Sequence, residues 1–208
     1  MEFFIIKKIT MLHLKIKISL NIVRWYLLNK APIMQKDNIV LRSPNETDIV
    51  NRFNLGLDYE CERMCGREVT LKSEYTITDA QEWYVKILNH SCKWIIEYNR
   101  EMVGIIGLTP YFQDNKGRLS IEIYNQSARG KGIGTEAIKL VLKYAFEDLK
   151  YHKVYLRVLD ININAIKCYE KCGFIREGID REGALINGVY YSDIYMGILI
   201  SDYLKNNL

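Results

Sequence analysis

A glycine-rich stretch decides the organisation of this chain: residues 129–134 read RGKGIG. Residues 118–124 before it are predicted to form a strand. Residues 135–149 after it carry apolar side chains at helical spacing, which predicts an amphipathic helix. The stretch therefore lies between a strand and a helix N-terminus, where unpaired N–H groups and the positive end of the helix dipole bind phosphate.

The residue types in this loop favour a diphosphate ligand. Glycine lets the backbone approach an anion because no Cβ intervenes, and Arg129 and Lys131 add positive charge. A Walker A loop needs G-x-x-x-x-G-K-[ST], and a dinucleotide fingerprint needs G-x-G-x-x-G near the first strand. Here the glycines stand at 130, 132 and 134, past mid-chain, so neither pattern fits. A tight turn without a ligand stays the alternative at this point.

The rest of the pattern predicts an α/β (α+β) fold, a mixed sheet with helices on its faces. Strands are predicted at 39–42, 93–98, 102–108, 118–124, 153–159, 174–177 and 189–199, and helices at 47–57, 78–89, 135–149 and 162–171. We expect mostly loop over residues 58–75. The turns at 99–101 and 187–188 predict hairpins.

Composition fits one domain with a core of its own. Of 208 residues, 49% are hydrophobic and 26% are charged. The formal net charge is +4, but residues 1–33 hold six basic residues and one acid, so residues 34–208 carry −1. That near-neutral body argues against a nucleic-acid partner. The five cysteines, an odd number, favour reduced thiols in the cytoplasm, and we expect no metal because no ligand spacing is present.

Residues 1–33 form an N-terminal extension of uncertain status before a domain at residues 34–208. Lysines interrupt each apolar run, so we expect no membrane span, and no small-residue cleavage site indicates a signal peptide. Three interpretations stay open: an amphipathic helix on a membrane surface, a segment packed on the domain or on a second subunit, and a translated leader. The leader fits best, because Met34 directly precedes a typical domain opening at residues 38–42.

Two motifs in register resemble those of the GCN5-related N-acetyltransferase (GNAT) superfamily. Residues 129–134 match its [QR]-x-x-G-x-[GA] loop, and residues 162–174, NINAIKCYEKCGF, match its N-x-x-A-x-x-x-Y-x-K-x-G-F block. Residues 186–196 are similar to the branch that contains ribosomal-protein and spermidine acetyltransferases. The resemblance covers about residues 38–203, and it implies a central, mostly antiparallel sheet flanked by helices.

The resemblance implies acetyl transfer from acetyl-CoA, the acetyl donor, to a primary amine. The acceptor would be a small amine, such as a polyamine or amino sugar, or a peptide N-terminus. The residues implied to bind CoA through backbone groups are Arg129, Gly130, Lys131, Gly132, Ile133 and Gly134 for the pyrophosphate, and Ile121, Glu122 and Ile123 for the pantetheine arm. Asn162 would hydrogen-bond the same molecule, and Tyr169 would bind it and protonate the departing thiolate.

The motifs say least about which residue acts as the general base. An amine with a pKa of about 10.4 must lose a proton before it attacks, and a carboxylate can accept that proton. Relatives of this branch place a Glu near the start of the preceding strand, where this chain has Arg118 and Leu119. Some protein-acetylating relatives place one where Arg157 stands. Glu122 is therefore the candidate base, and a water chain is the alternative.

Other functions stay open at this stage. The chain could be a non-catalytic CoA-binding or regulatory module, or a binder of another nucleotide diphosphate. Relatives often form homodimers, so a homodimer is also an expectation. Four acids lie in the region that usually shapes the acceptor pocket in the family. They would suit a cationic acceptor or form a solvated face; they are Glu60, Glu62, Glu68 and Glu74.

Overall fold

A computed structural model describes residues 31–68, 74–90 and 92–206. Within these residues one eight-stranded sheet has the order β1-β2-β3-β4-β5-β6-β8-β7. The strands are β1 Met34–Lys36, β2 Ile39–Arg42, β3 Lys93–Tyr98, β4 Glu101–Tyr111, β5 Lys116–Ile123, β6 Lys153–Leu159, β7 Ile175–Ile186 and β8 Val189–Leu199. Neighbouring strands are antiparallel, except that β5 and β6 are parallel.

Helices cover both faces of the sheet. They are α1 Thr47–Leu55, α2 Tyr59–Met64, α3 Ile77–Leu88, α4 Ile133–Lys143, α5 Ile163–Lys171 and α6 Ile200–Asn206. Local sequence sets their ends: Thr76 forms a capping box with Asp79 before α3, and the Asn162 side chain accepts a hydrogen bond from the Ala165 N–H at the start of α5. Gly173, at a φ of 92°, follows α5 in the left-handed conformation that ends helices.

Two apolar clusters hold the layers together. The larger one packs the buried face of α4, including Ile138, Val141 and Leu142, against the sheet. The smaller one packs Ile87 of α3 against Ile105 of β4 on the opposite face. Each fully buried aliphatic side chain contributes about 1.5–3 kcal/mol, so α3 and α4 fix both faces around the central strands.

The parallel strands β5 and β6 part after three residue pairs. Pairing runs only from Lys116↔Lys153 to Arg118↔Tyr155. Beyond it, residues 119–123 pair with β4 alone and residues 156–159 pair with β8 alone. The facing edges of the two strands therefore leave a gap at their carboxyl ends, next to the loop that precedes α4.

The predicted fold class and both hairpins are confirmed, and several boundaries differ. Residues 58–75 contain α2, which Asp58 caps by accepting hydrogen bonds from the Glu60 and Cys61 N–H groups. Strand β7 continues to Ile186 instead of ending at residue 177. Helix α4 begins at Ile133 and gives way to a π-helical turn over Tyr144–Asp148, where the prediction was one helix over 135–149.

Residues 1–30 of the predicted extension lie outside the described residues. Of the other three, Ala31 is buried in the larger cluster, and the Pro32 carbonyl accepts a hydrogen bond from Trp94 Nε1 at 2.9 Å. No helix in the described ranges is long and apolar enough to cross a membrane.

Candidate active site

The loop before α4 needs glycine for its backbone conformation. Gly130 and Gly132 have φ angles of 75° and 81°, in the left-handed region that disfavours other residues. A Cβ at either position would meet no atom within 4 Å. Backbone conformation, and not crowding, therefore explains these two glycines.

The first turn of α4 offers backbone donors for an anion. The N–H groups of Ile133, Gly134 and Thr135 have no acceptor within the helix, and the described part of the chain supplies none. The Arg129 N–H, by contrast, donates to the Gln126 carbonyl at 3.1 Å. The Arg129 N–H is therefore already hydrogen-bonded within the loop, and the pyrophosphate contacts of residues 129–134 stay predictions.

The Arg129 side chain also differs from the expectation that it binds phosphate. Its Nε and one terminal nitrogen donate to the Ile123 carbonyl at 3.1 and 2.6 Å, and it pairs with Asp58 at 2.5 Å. The guanidinium thus joins α2, through its capping residue, to the end of β5. Lys131 is exposed and adds the charge of its ammonium at this loop.

Strand register determines which backbone groups face the gap between β5 and β6. The Tyr124 N–H donates to the Val103 carbonyl at 2.9 Å. Because hydrogen-bonded pairs alternate in an antiparallel ladder, Glu122 also bonds β4, opposite Ile105. The backbone groups of Ile121 and Ile123 point the other way, into the gap. Of the three residues predicted to contact pantetheine, Ile121 and Ile123 thus direct backbone groups into the gap and Glu122 directs its own to β4, and contact of any of them with pantetheine stays a prediction.

Tyr169 is buried on α5, with its ring packed edge-on against Phe174 at 5.9 Å between centroids. Burial raises the pKa of Tyr169, so the phenol keeps its proton at neutral pH. Asn162 caps the same helix, and its Nδ2 donates to the Met64 carbonyl at 3.5 Å. The start of α5 therefore meets the end of α2, while contact of Asn162 or Tyr169 with a ligand stays a prediction.

Glu122 projects its side chain into a cavity on the α3 side of the sheet. The cavity has a volume of about 330 Å³ and lies between α3, the segment after α2 and the face of β3, β4 and β5. Arg67 bridges Glu122, at 2.8 Å, and Glu62. The candidate base is thus a carboxylate paired with a guanidinium, and it faces the cavity, away from the larger core cluster.

Sequence reasoning missed several side chains of this cavity. The Arg52 guanidinium lies 4.3 Å from the ring centroids of both Tyr75 and Tyr124. Trp83 Nε1 donates to the Tyr124 hydroxyl at 3.0 Å. None of these residues belongs to a sequence motif, so the chain gave no local signal for them.

Two of the four acids that the sequence analysis named for a cationic acceptor lie on α2. Glu60 pairs with Arg63 on the exposed side of α2, whereas Glu62 lines the cavity. Near Glu62, the thiols of Cys61 and Cys65 and a carboxylate oxygen of Glu122 lie within 4.8 Å of one another. Arg67 already holds that carboxylate, and a metal ion would compete with it.

The gap between β5 and β6 lies beside the glycine loop and the helix start, so together they could hold an extended ligand that ends in a diphosphate. The family model described as the acetyltransferase (GNAT) domain matches residues 38–175, and the chain belongs to that family. The predicted family resemblance is thereby confirmed.

Curated relatives are named as acetyltransferases. The chain is 37% identical over 102 residues to the probable N-acetyltransferase YjcK of Bacillus subtilis, a match that covers 47% of this chain and 56% of YjcK. It is 33% identical over 132 residues to the spermidine N(1)-acetyltransferase of Vibrio cholerae, covering 62% of this chain and 76% of that protein. The chain thus spans little more than half the length of YjcK.

Solved structures share the fold. The Vibrio cholerae spermidine N-acetyltransferase, in complex with CoA and spermine, superposes with a TM-score of 0.67 at 26% identity, covering 81% of this chain and 99% of that chain. A GNAT-family acetyltransferase from Bacillus anthracis gives a TM-score of 0.70 at 19% identity, covering 82% and 99%. The second likeness concerns the fold alone.

Proposed function

We propose that this protein transfers the acetyl group of acetyl-CoA to a primary amine. The observation that carries the proposal is the gap between β5 and β6, which ends at the donors of the first turn of α4. The Ile121 backbone groups and the Ile123 N–H suit an extended chain of amides, while the Ile123 carbonyl is held by Arg129, and a helix start suits a diphosphate. CoA combines these two features in one molecule, and its thioester supplies the electrophilic carbonyl.

Backbone donors of β5 would stabilise the charge that develops in the reaction. The N–H groups of Ile121 and Ile123 face the gap and are held by the β4 ladder on the other edge. A preorganised N–H directed at the oxyanion of a tetrahedral intermediate contributes about 3 kcal/mol. This role needs no movement of the strand.

Proton transfer would use groups on either side of β5. Glu122 faces the cavity and would accept the proton of the attacking amine, directly or through water, while Arg67 holds the carboxylate in place. Tyr169 would donate its proton to the departing thiolate, because the buried phenol is protonated at neutral pH. The acceptor would thus enter from the α3 side.

The acceptor is a primary amine in this proposal: a polyamine, an amino sugar or a peptide N-terminus. Support for a polyamine comes from the relatives, since one is named for spermidine and its solved structure holds spermine. Cytoplasmic location and assembly as a homodimer belong to the same proposal.

The test combines calorimetry with an acceptor screen. We expect acetyl-CoA to bind more tightly than ATP or NAD, and at least one amine to be acetylated, as measured by CoA release and by the product mass. Tyr169→Phe should lower kcat by about a hundredfold or more and leave the acetyl-CoA Kd unchanged. Tyr144→Phe, a control at a half-buried ring packed edge-on against Trp94, should retain both.

The possible negative results of these experiments lead to different conclusions. Tighter binding of ATP or NAD would replace acetyl-CoA as the ligand. Binding of acetyl-CoA without turnover of any amine would favour the non-catalytic module. An unchanged kcat in Tyr169→Phe would refute the acid role alone.

A further inference from the structure

One lysine lies across the sheet floor of the cavity. Lys93 of β3 is in register with Gly107 of β4, which is in register with Ser120 of β5. A Cβ at Gly107 would lie 2.8 Å from Lys93 Cδ and 2.9 Å from Cε. Because Gly107 has no side chain, a trough is left on the surface of β4, and the aliphatic part of Lys93 lies in it and reaches β5.

The trough brings the ammonium to the strand of the candidate base. Lys93 Nζ donates to Ser120 Oγ at 3.5 Å, and Glu122 lies two residues further along the same face of β5. Burial lowers the pKa of Lys93, partly offset by the charge of Glu122. An acceptor amine bound at Glu122 would therefore lie near this ammonium.

Three of the four acids that line the cavity are engaged by other groups, and the fourth, Glu82, is exposed on α3. Glu62 and Glu122 share Arg67, and Asp79 accepts hydrogen bonds from the N–H and hydroxyl of Thr76. In the described ranges no carboxylate lies within 4.0 Å of Lys93 Nζ. The ammonium therefore makes no direct ion pair in the described residues, and the charge of Glu122 acts on it only at longer range.

We infer that Lys93 binds an anionic group of the acceptor, so that the preferred acceptor is an amine that carries a carboxylate. Amino acids, and peptides with an acidic residue beside the N-terminal amine, have this chemistry. The volume of about 330 Å³ suits a molecule of that size. A polyamine would instead place a second ammonium against Lys93, and like charges in a partly desolvated site repel.

This inference rests on the proposed acetyl transfer, and matched acceptors test it. They are free amino acids against their amides, Ala-Glu amide against Ala-Gln amide, and spermidine. We expect kcat/KM for the acid to exceed that for its amide by about tenfold, the size of a partly buried ion pair. Lys93→Gln should abolish the difference by raising the KM of the acid alone, with kcat within about twofold.

Control variants keep the result interpretable. Lys93→Arg retains the charge and should retain the preference, and Lys143→Gln, the same charge change at an exposed position of α4, should match the wild type. The acid-to-amide ratio within one variant is independent of the fraction of folded enzyme. It therefore separates a binding role from a structural one.

Three results decide the outcome. Turnover of spermidine or of the amides at least equal to that of the acids overturns the inference and leaves acetyl transfer standing. So does an equal loss for acid and amide in Lys93→Gln. If acetyl-CoA binds but no amine of any class is acetylated, the proposed function itself fails.

Discussion

Gly132→Ala isolates the conformational requirement of the donor loop. Gly132 has a φ of 81°, and an added Cβ would contact nothing within 4 Å. The only cost is then the left-handed backbone, about 1–2 kcal/mol for a residue with a Cβ. That cost corresponds to about a 5–30-fold change in an equilibrium constant.

The free-energy cost of the left-handed backbone must lower either the stability of the protein or its affinity for acetyl-CoA. If the loop keeps its shape, the free energy of unfolding falls by this amount and the acetyl-CoA Kd is unchanged. If the loop relaxes to a negative φ, stability is retained and the Kd rises instead. We expect the two losses to sum to about 1–2 kcal/mol, measured by urea denaturation and by calorimetry with acetyl-CoA.

Gly134→Ala is the matched control. Gly134 is helical, and its Cβ would lie 3.8 Å from Cys168 Sγ and from Ile121 Cδ1, which is ordinary contact. Alanine in a helix should stabilise the protein by about 0.5–1 kcal/mol and leave donor binding unchanged. Gly132→Ala with neither loss, or Gly134→Ala with an equal loss, would refute the reasoning.

Two further substitutions test the frame around the site. Asp48 is fully buried and accepts two hydrogen bonds of 2.7 Å from Arg42, so Asp48→Asn should lower the free energy of unfolding by about 3–5 kcal/mol in urea denaturation; a loss below about 1 kcal/mol would contradict a buried ion pair. Burial raises the pKa of Tyr169 and Tyr124 above the unfolded value, so both add stability that is full below about pH 10 and is lost above it. Above pH 10 the slope should approach about 1.4 kcal/mol per pH unit for each phenol, and Tyr169→Phe, measured between pH 10 and 12, should remove the contribution of one phenol; an unchanged slope would contradict the burial of the Tyr169 phenol.

Local features of the site were readable from the sequence. The strand, the glycine loop and the helix start follow one another in the chain, and residues 162–174 carry a second motif in register. Their physics is local, since a helix start and left-handed glycines depend on neighbouring residues alone. Strand β6 was also predicted with its observed bounds, because a buried strand is apolar along most of its length.

Features that depend on distant partners were not readable. Arg129 pairs with Asp58, and Arg67 pairs with Glu122. These residues are far apart in the sequence and meet only in the folded protein. Strand β7 is exposed along almost all of its length, so it shows no apolar alternation to reveal its extent. The gap between β5 and β6 depends on how many residue pairs the two strands form, and the residue types of the strands do not reveal that number.

Amide exchange measured by NMR tests the central claim most directly, because it resolves single residues of β5. On addition of acetyl-CoA, the amides of Ile121, Ile123 and Ile133 should gain protection. The Glu122 amide, already bonded to β4, should not change. Unchanged exchange at Ile121 and Ile123, with protection elsewhere, would contradict a donor site in the gap between β5 and β6.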